Sequence, residues 1–200
     1  MSWDTLESTL PLRPILALLL ALSMGCPKNK GGSSEAYVSR ISERVLQEEG
    51  LVEQEVDLDA NGASDIRNYY RERADAPRLL VRKELDLNRD GKFDVITIFD
   101  EDGNLSREDM DSDYDGQFDW TDHYKKGLRV MSEYDTDGDG KPNVFKYYIQ
   151  GDDKLMHLDR KERDEDGDGK IDVWERFLDG VVVRTGRDTD GDGKVDERLE

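Results

Sequence analysis

From residue 51 onward the apolar positions of the chain recur in two columns four residues apart. Ile66, Val95, Trp120, Val144 and Val173 form the first, and Tyr70, Phe99, Tyr124, Tyr148 and Phe177 the second. Successive side chains of a strand point to opposite faces, so an even offset keeps both columns on one face. Flanking segments such as Val95-Ile96-Thr97-Ile98-Phe99 and Val181-Val182-Val183 carry the β-branched and aromatic residues that suit strands. Between them fall Asp102-Gly103-Asn104, Lys126-Gly127, Gly151-Asp152 and Asp179-Gly180, which have hairpin-turn chemistry. The pattern predicts a mainly β fold over residues 51–200, an antiparallel meander of β-hairpins with about eleven strands. Upstream, Tyr37, Ile41 and Val45 recur at i, i+4 and i+8, with Ser34 placed to cap and Gly50 to terminate. That spacing predicts a short helix over residues 35–50.

The hairpins are separated by a repeated unit, D-x-[D/N]-x-[D/N]-G-x-x-[D/N]. It appears as Asp57-Asp59-Asn61-Gly62-Asp65, Asp86-Asn88-Asp90-Gly91-Asp94 and Asp111-Asp113-Asp115-Gly116-Asp119. It returns as Asp135-Asp137-Asp139-Gly140-Asn143, Asp164-Asp166-Asp168-Gly169-Asp172 and Asp188-Asp190-Asp192-Gly193-Asp196. The first aspartates lie 29, 25, 24, 29 and 24 residues apart, a period short enough to define stacked structural repeats. We number these loops 1 to 6 and the positions within each from 1 to 9.

Oxygen ligands at this spacing suit calcium, a hard cation that takes six to eight oxygens in flexible geometry. Alternate residues of a tight loop can turn their carboxylates inward at positions 1, 3 and 5. Glycine at position 6 allows the backbone to turn with positive φ, and position 9 closes the ring. Asparagine at Asn61, Asn88 and Asn143 keeps an oxygen while lowering the charge. Up to six Ca²⁺ ions are expected, with loop 1 (Asn61, Ser64) and loop 4 (Pro142 at position 8) the weakest sites.

These motifs resemble the first nine residues of EF-hand loops, and those of dockerin and thrombospondin type 3 repeats. At position 12, where the EF-hand resemblance implies a bidentate glutamate, stand Asn68, Thr97, Asp122, Lys146, Glu175 and Leu199, so only loop 5 with Glu175 has the full set. Nine-residue loops 24 apart leave fifteen residues between them, too few for an exiting and an entering helix. They are enough for two strands and a turn, with the calcium loops along one edge of the meander. Two residues before each loop lie Glu55, Glu84, Asp109, Glu133 and Glu162, with Gly186 at the sixth. Two readings are open for these acids: a supplement to the metal ligands, or a charged, solvated strand face.

The N-terminal residues add a cellular address. Residues 15–24 (ILALLLALSM) form an apolar run of ten, followed by Gly25 and Cys26. This resembles a bacterial lipoprotein signal peptide. The resemblance implies cleavage of residues 1–25, acylation of Cys26 and a lipid-anchored place at the cell envelope, in the outer membrane or at the cell surface. Residues 26–34 then read as a lipidated, flexible tether. The single cysteine excludes an internal disulfide.

Charge narrows the function. Of 200 residues 38% are charged, and the net charge is -19; loss of residues 1–25 removes one base and two acids and leaves -18. Nucleic acid is excluded as a partner, because phosphate binding needs a basic face. His123 and His157 sit in unrelated segments, and no nucleophile–base pattern or phosphate loop accompanies them. The sequence therefore points away from an enzyme, a metal-dependent one being the least favoured reading. It points toward a structural or adhesive calcium-binding repeat protein, with a calcium-ordered module that docks an envelope protein as the alternative.

Overall fold

The structure, a computed structural model, describes residues 40–200. Thirteen strands follow one another: β1 (Arg40–Leu46), β2 (Leu51–Asp57), β3 (Ile66–Arg71), β4 (Leu79–Leu85), β5 (Val95–Phe99), β6 (Leu105–Met110) and β7 (Trp120–Lys125). The chain continues through β8 (Leu128–Tyr134), β9 (Val144–Gln150), β10 (Met156–Arg163), β11 (Val173–Leu178), β12 (Val181–Arg187) and β13 (Glu197–Leu199). All belong to one antiparallel sheet in which spatial order equals sequence order. Every connection from an even strand to the next odd one is an Asp-rich loop, and every other connection is a hairpin turn. The two kinds therefore line opposite edges.

The helix expected over residues 35–50 is not there. Residues 40–46 form β1, which pairs with β2 from Arg40↔Asp57 to Leu46↔Leu51; residues 35–39 lie outside the described residues. The reason is an ambiguity of period. An offset of four suits one face of a helix and equally one face of a strand. Ile41 and Val45 take the second option, facing Val56 and Val52 across the ladder. Gly50, expected to end a helix, has φ +66, and its amide bonds the Leu46 carbonyl to close the β1–β2 hairpin. This strand and an additional terminal one bring the count to thirteen.

Cross-strand register organises one face into three rows. Nearest the loops runs Ile41, Val56, Ile66, Leu85, Val95, Met110, Trp120, Tyr134, Val144, broken by Arg163 before Val173. Within it Trp120 and Tyr134 stack with ring centroids 5.5 Å apart. The middle row is polar and joined by side-chain hydrogen bonds: Gln54 to Glu43 (2.8 Å), Asn68 to Gln54 (3.1 Å), Thr97 to Glu108 (3.3 Å), and Ser132 to Asp122. The third row, near the turns, is apolar again and contains Tyr70, Phe99, Tyr124, Tyr148 and Phe177. The two columns read from the sequence thus share a face, with a hydrogen-bonded polar row between them.

The opposite face is charged. Glu53 is 1% exposed beneath Arg44, and Tyr69 Oη donates to Glu53 and Glu84, at 3.2 Å each. Arg82 pairs with Glu84, Arg107 with Asp109 (2.9 Å) and Arg160 with Glu162 (3.2 Å). Among the described residues no helix or second sheet covers either face, and the only buried apolar residues are Leu79, Val95 and Val173.

A further regularity is invisible in the residue pattern. Five successive hairpins carry a one-residue β-bulge at the same place, on the returning strand: Val81, Ser106, Val130, Asp159 and Val183 are skipped by the pairing. Bulges bend and twist a strand locally. Here each occurs where the third row meets its partner, so the bend repeats along the sheet.

The packing makes Val173 and Val181 opposite cases. Val173→Ala, at a position 1% exposed, should cost about 1.5–2.5 kcal/mol in urea unfolding, whereas Val181→Ala, at 64% exposed, should cost almost nothing. Burial, together with Glu84 and Glu53, pushes the Tyr69 hydroxyl up to about 12, and burial with Asp122 and Glu108 does the same for Tyr124. Their folded values exceed the ordinary value near 10, so the stability they contribute is complete below pH 10 and is lost as pH rises toward 12. Absorbance titration should show two late-ionising tyrosines and alkaline unfolding in that window, and Tyr69→Phe should remove one of them.

Candidate metal centres

Each Asp-rich loop is built by carboxylates that accept the amides of its own turning backbone. The position-1 aspartate takes the amide of the position-6 glycine on Oδ2, at 2.5 to 2.9 Å in all six loops. Its Oδ1 takes a second amide: from Asn61 at position 5 in loop 1 (3.2 Å), and from position 4 in the other five, at 2.6 to 2.9 Å. The position-9 side chain accepts the position-2 amide at 2.5 to 2.9 Å, again in all six. Asn143 does this as well as an aspartate, because a carbonyl oxygen is all the bond requires.

Position 6 has positive φ throughout, from +83° at Gly193 to +95° at Gly62. Position 4 does too, although the repeated motif assigns it no residue. It is Gly138, Gly167 and Gly191 in loops 4–6, but Ala60, Arg89 and Tyr114 in loops 1–3. The run Asp-Gly-Asp-Gly in the last three loops is the one signal of it along the chain.

Neighbouring loops are also stitched together. The position-1 amide of each loop from the second onward donates to the position-9 carbonyl of the loop before it, at 2.7 to 3.0 Å. The position-9 amide donates to the residue just before its own loop, as Asp172 does to Arg163 at 2.8 Å. Position 9 therefore links its own loop to the next while its side chain faces inward.

These bonds gather the acids. In five loops three carboxylates each offer an oxygen within 4.8 Å of the others: Asp57, Asp59 and Asp65; Asp111, Asp113 and Asp115; Asp135, Asp137 and Asp139; Asp164, Asp166 and Asp172; Asp188, Asp190 and Asp196. Loop 2, with Asn88 at position 3, forms no such all-carboxylate triplet from Asp86, Asp90 and Asp94. Burial works against ionisation of Asp57, Asp135 and Asp188, but the amides they accept outweigh it and hold their pKa below the ordinary carboxylate value. They are anions in the fold.

The donor set fits a hard divalent cation. It is made of carboxylate oxygens, with no histidine or cysteine in any cluster, which disfavours metals that prefer nitrogen or sulfur. A carboxylate has about four lone-pair sites. The position-1 aspartates spend two or three on amides, which leaves capacity for a shared ion. The five triplets are thus placed so that each could hold a metal ion.

Several residues that the sequence offers as ligands have other partners in the fold. Glu175 lies on β11 in the polar row, 3.9 Å from Lys161 Nζ, and is not in the loop-5 cluster. The acids two residues before the loops lie on the charged face with partners of their own. Glu55 pairs with Arg67 at 3.2 Å, Asp109 accepts from Thr121 at 2.6 Å, and Glu133 meets His123 at 3.1 Å. They belong to the strand face and not to the carboxylate triplets of the loops. His157 is held by Asp153 at 2.9 Å near the β9–β10 turn, remote in sequence and strand from His123. Cys26, with the leader and tether expected around it, lies outside the described residues. Among those described, no helix is long and apolar enough to cross a membrane. No protein-family model matches the chain, and no curated protein matches it in sequence.

The loop backbone predicts its own substitutions. At Gly169, φ is +87 and an added Cβ would meet nothing within 4 Å. Gly169→Ala should therefore cost only the left-handed conformation, about 1–2 kcal/mol. Ala60→Gly, at φ +60, should act in the opposite sense and stabilise by about 0.5–1 kcal/mol, both read from denaturant unfolding without added metal.

Proposed function

We propose that this chain is a non-enzymatic calcium-binding repeat lipoprotein with a structural or adhesive role at a bacterial cell envelope. The observation that carries the reading is the convergence of three carboxylates in each of five loops along a single sheet edge. Calcium is the cation of choice because the ligands are hard oxygens on loops with some freedom, and external calcium is plentiful enough to fill weak sites. Asp57, Asp111, Asp135, Asp164 and Asp188 would anchor the ions, with the position-3, -5 and -9 side chains completing the oxygen set. Six ions would add +12 to the -18 of a chain cleaved before Cys26 and bring it to -6. The lipid on Cys26 would hold the array at the membrane through the tether.

What the ion supplies here is charge neutralisation and cross-linking of a loop. The protein residues supply the rest: turns held by Asp–amide bonds, and a lateral chain of bonds from loop to loop. A calcium-ordered module that docks a partner protein is the second reading. It is favoured by Leu155, Leu178 and Val181, all exposed at the hairpin edge opposite the loops.

Calorimetric titration of the full chain with calcium, alongside circular dichroism and thermal melts, tests the proposal. About four to six ions should bind, and at 100 times the dissociation constant each should add about 2.7 kcal/mol to stability. A chelator should reverse the gain, and Asp164→Ala should remove one ion. Failure to bind at millimolar calcium would sink the reading.

A further inference from the structure

We propose that loop 1 contains its own competing cation, the Arg89 guanidinium of loop 2, which makes loop 1 the last of the clustered loops to take a metal ion. The inference rests on the metal-binding reading above and names a residue that sets affinity within it.

Arg89 Nη1 lies 3.3 Å from Asp59 Oδ2, and its Nε lies 3.6 Å from Asp65 Oδ1. These are the position-3 and position-9 carboxylates of the loop-1 triplet. Asp65 is buried, and its other oxygen already accepts the Leu58 amide at 2.5 Å. The guanidinium therefore stands at the oxygen that remains for a cation. Asp59 is similarly divided: Oδ1 accepts the Asn61 amide at 3.1 Å, and Oδ2 faces Arg89.

The reach across loops has a structural basis. Arg89 occupies position 4 of its loop with φ +65, and the Asp86 amide bonds the Asp65 carbonyl at 2.9 Å, which holds the two loops side by side. Position 4 of the other loops is Ala60, Tyr114, Gly138, Gly167 and Gly191, none of them a cation. Among the described residues, no other carboxylate of the five triplets has a cationic side chain within 4.0 Å. Lys170 and Lys194 each pair with one position-5 aspartate of their own loop, Asp168 and Asp192, and with none of its converging triplet, whereas Arg89 reaches two carboxylates of the loop-1 triplet. Loop 1 also starts with three carboxylates, Asn61 replacing the fourth, where loops 3, 5 and 6 have four.

A metal ion and a guanidinium cannot share these oxygens without repulsion, so the ion must displace the arginine. A single positive charge some 5 Å from a divalent ion, even with the screening of water, weakens binding on the order of tenfold.

The test is a calcium titration of the full chain followed by amide NMR, with the position-6 glycines as one reporter per loop: Gly62, Gly91, Gly116, Gly140, Gly169 and Gly193. In the unmodified protein Gly62 should respond at about tenfold higher calcium than Gly116 and Gly169. Arg89→Gly and Arg89→Asn remove the charge and suit the left-handed backbone. Both should bring the Gly62 midpoint down to that of the other loops and leave Gly116 and Gly169 where they were. Arg89→Lys, which keeps the charge, should retain late filling. A Gly62 midpoint equal to the others in the unmodified protein, or one unmoved or raised in both neutral variants, overturns the proposal while the metal reading stands. Silence from all six glycines overturns both.

Discussion

A backbone that reverses in nine residues exposes amides that have no partner strand, and here carboxylates take them. The position-1 aspartate accepts two such amides in every loop, and the position-9 side chain accepts a third. Once those bonds form, the strands that enter and leave the loop are in register, because the position-9 amide reaches the residue just before the loop. The next loop is fixed in turn through its own position-1 amide. Sheet order, stagger and the succession of loops along one edge follow from this single device. The cost is electrostatic: the residues that make the turn are anions, and the turn brings them together.

The other edge is built on different chemistry. Lys126-Gly127 and Asp179-Gly180 both have positive φ at two successive residues, the backbone that suits a two-residue hairpin turn. Longer turns place Gly103 or Lys154 in the left-handed region instead. Between the edges there is little oil to hold the sheet. Apolar rows cover one face only in part, and charged side chains occupy the other, with arginines laid over Tyr69 and Tyr147 at 5.5 and 4.1 Å from the ring centroids. Such an array derives its stability from contacts between neighbouring strands, accumulated along its length. A buried Glu53 is tolerable in it because Arg44 and Tyr69 surround the carboxylate with donors.

The repeat is legible in the sequence because aspartate and glycine hold fixed places in it, and the strand faces are legible because four is an even number. That same number misleads over residues 35–50, where Ile41 and Val45 satisfy a helix and a strand alike; only the availability of Val52 and Val56 as partners decides between them. The five bulges stay hidden because the skipped residue is valine in three hairpins (Val81, Val130, Val183) but Ser106 and Asp159 in the other two, so no single side chain marks the place. Position 4 is half visible, as glycine in three loops and disguised in the other three. Glu175 stands apart from the loop-5 triplet because a strand begins at Val173 and carries that side chain into the polar row.

The charge problem has two kinds of solution, and the loops divide between them. A mobile divalent ion can serve any cluster of oxygens, but it depends on its concentration. A tethered guanidinium is always present, but it brings one charge instead of two and cannot close a loop on every side. Loop 1, next to the edge strand β1 and with three carboxylates at its four acidic positions, has the tethered cation. Loops 3, 5 and 6, each with four aspartates, have none among their clustered carboxylates. An array with both would keep its N-terminal end neutralised at all times and leave the order of its C-terminal loops to the metal supply, so a single sheet would be permanently fixed at one end and conditionally fixed at the other.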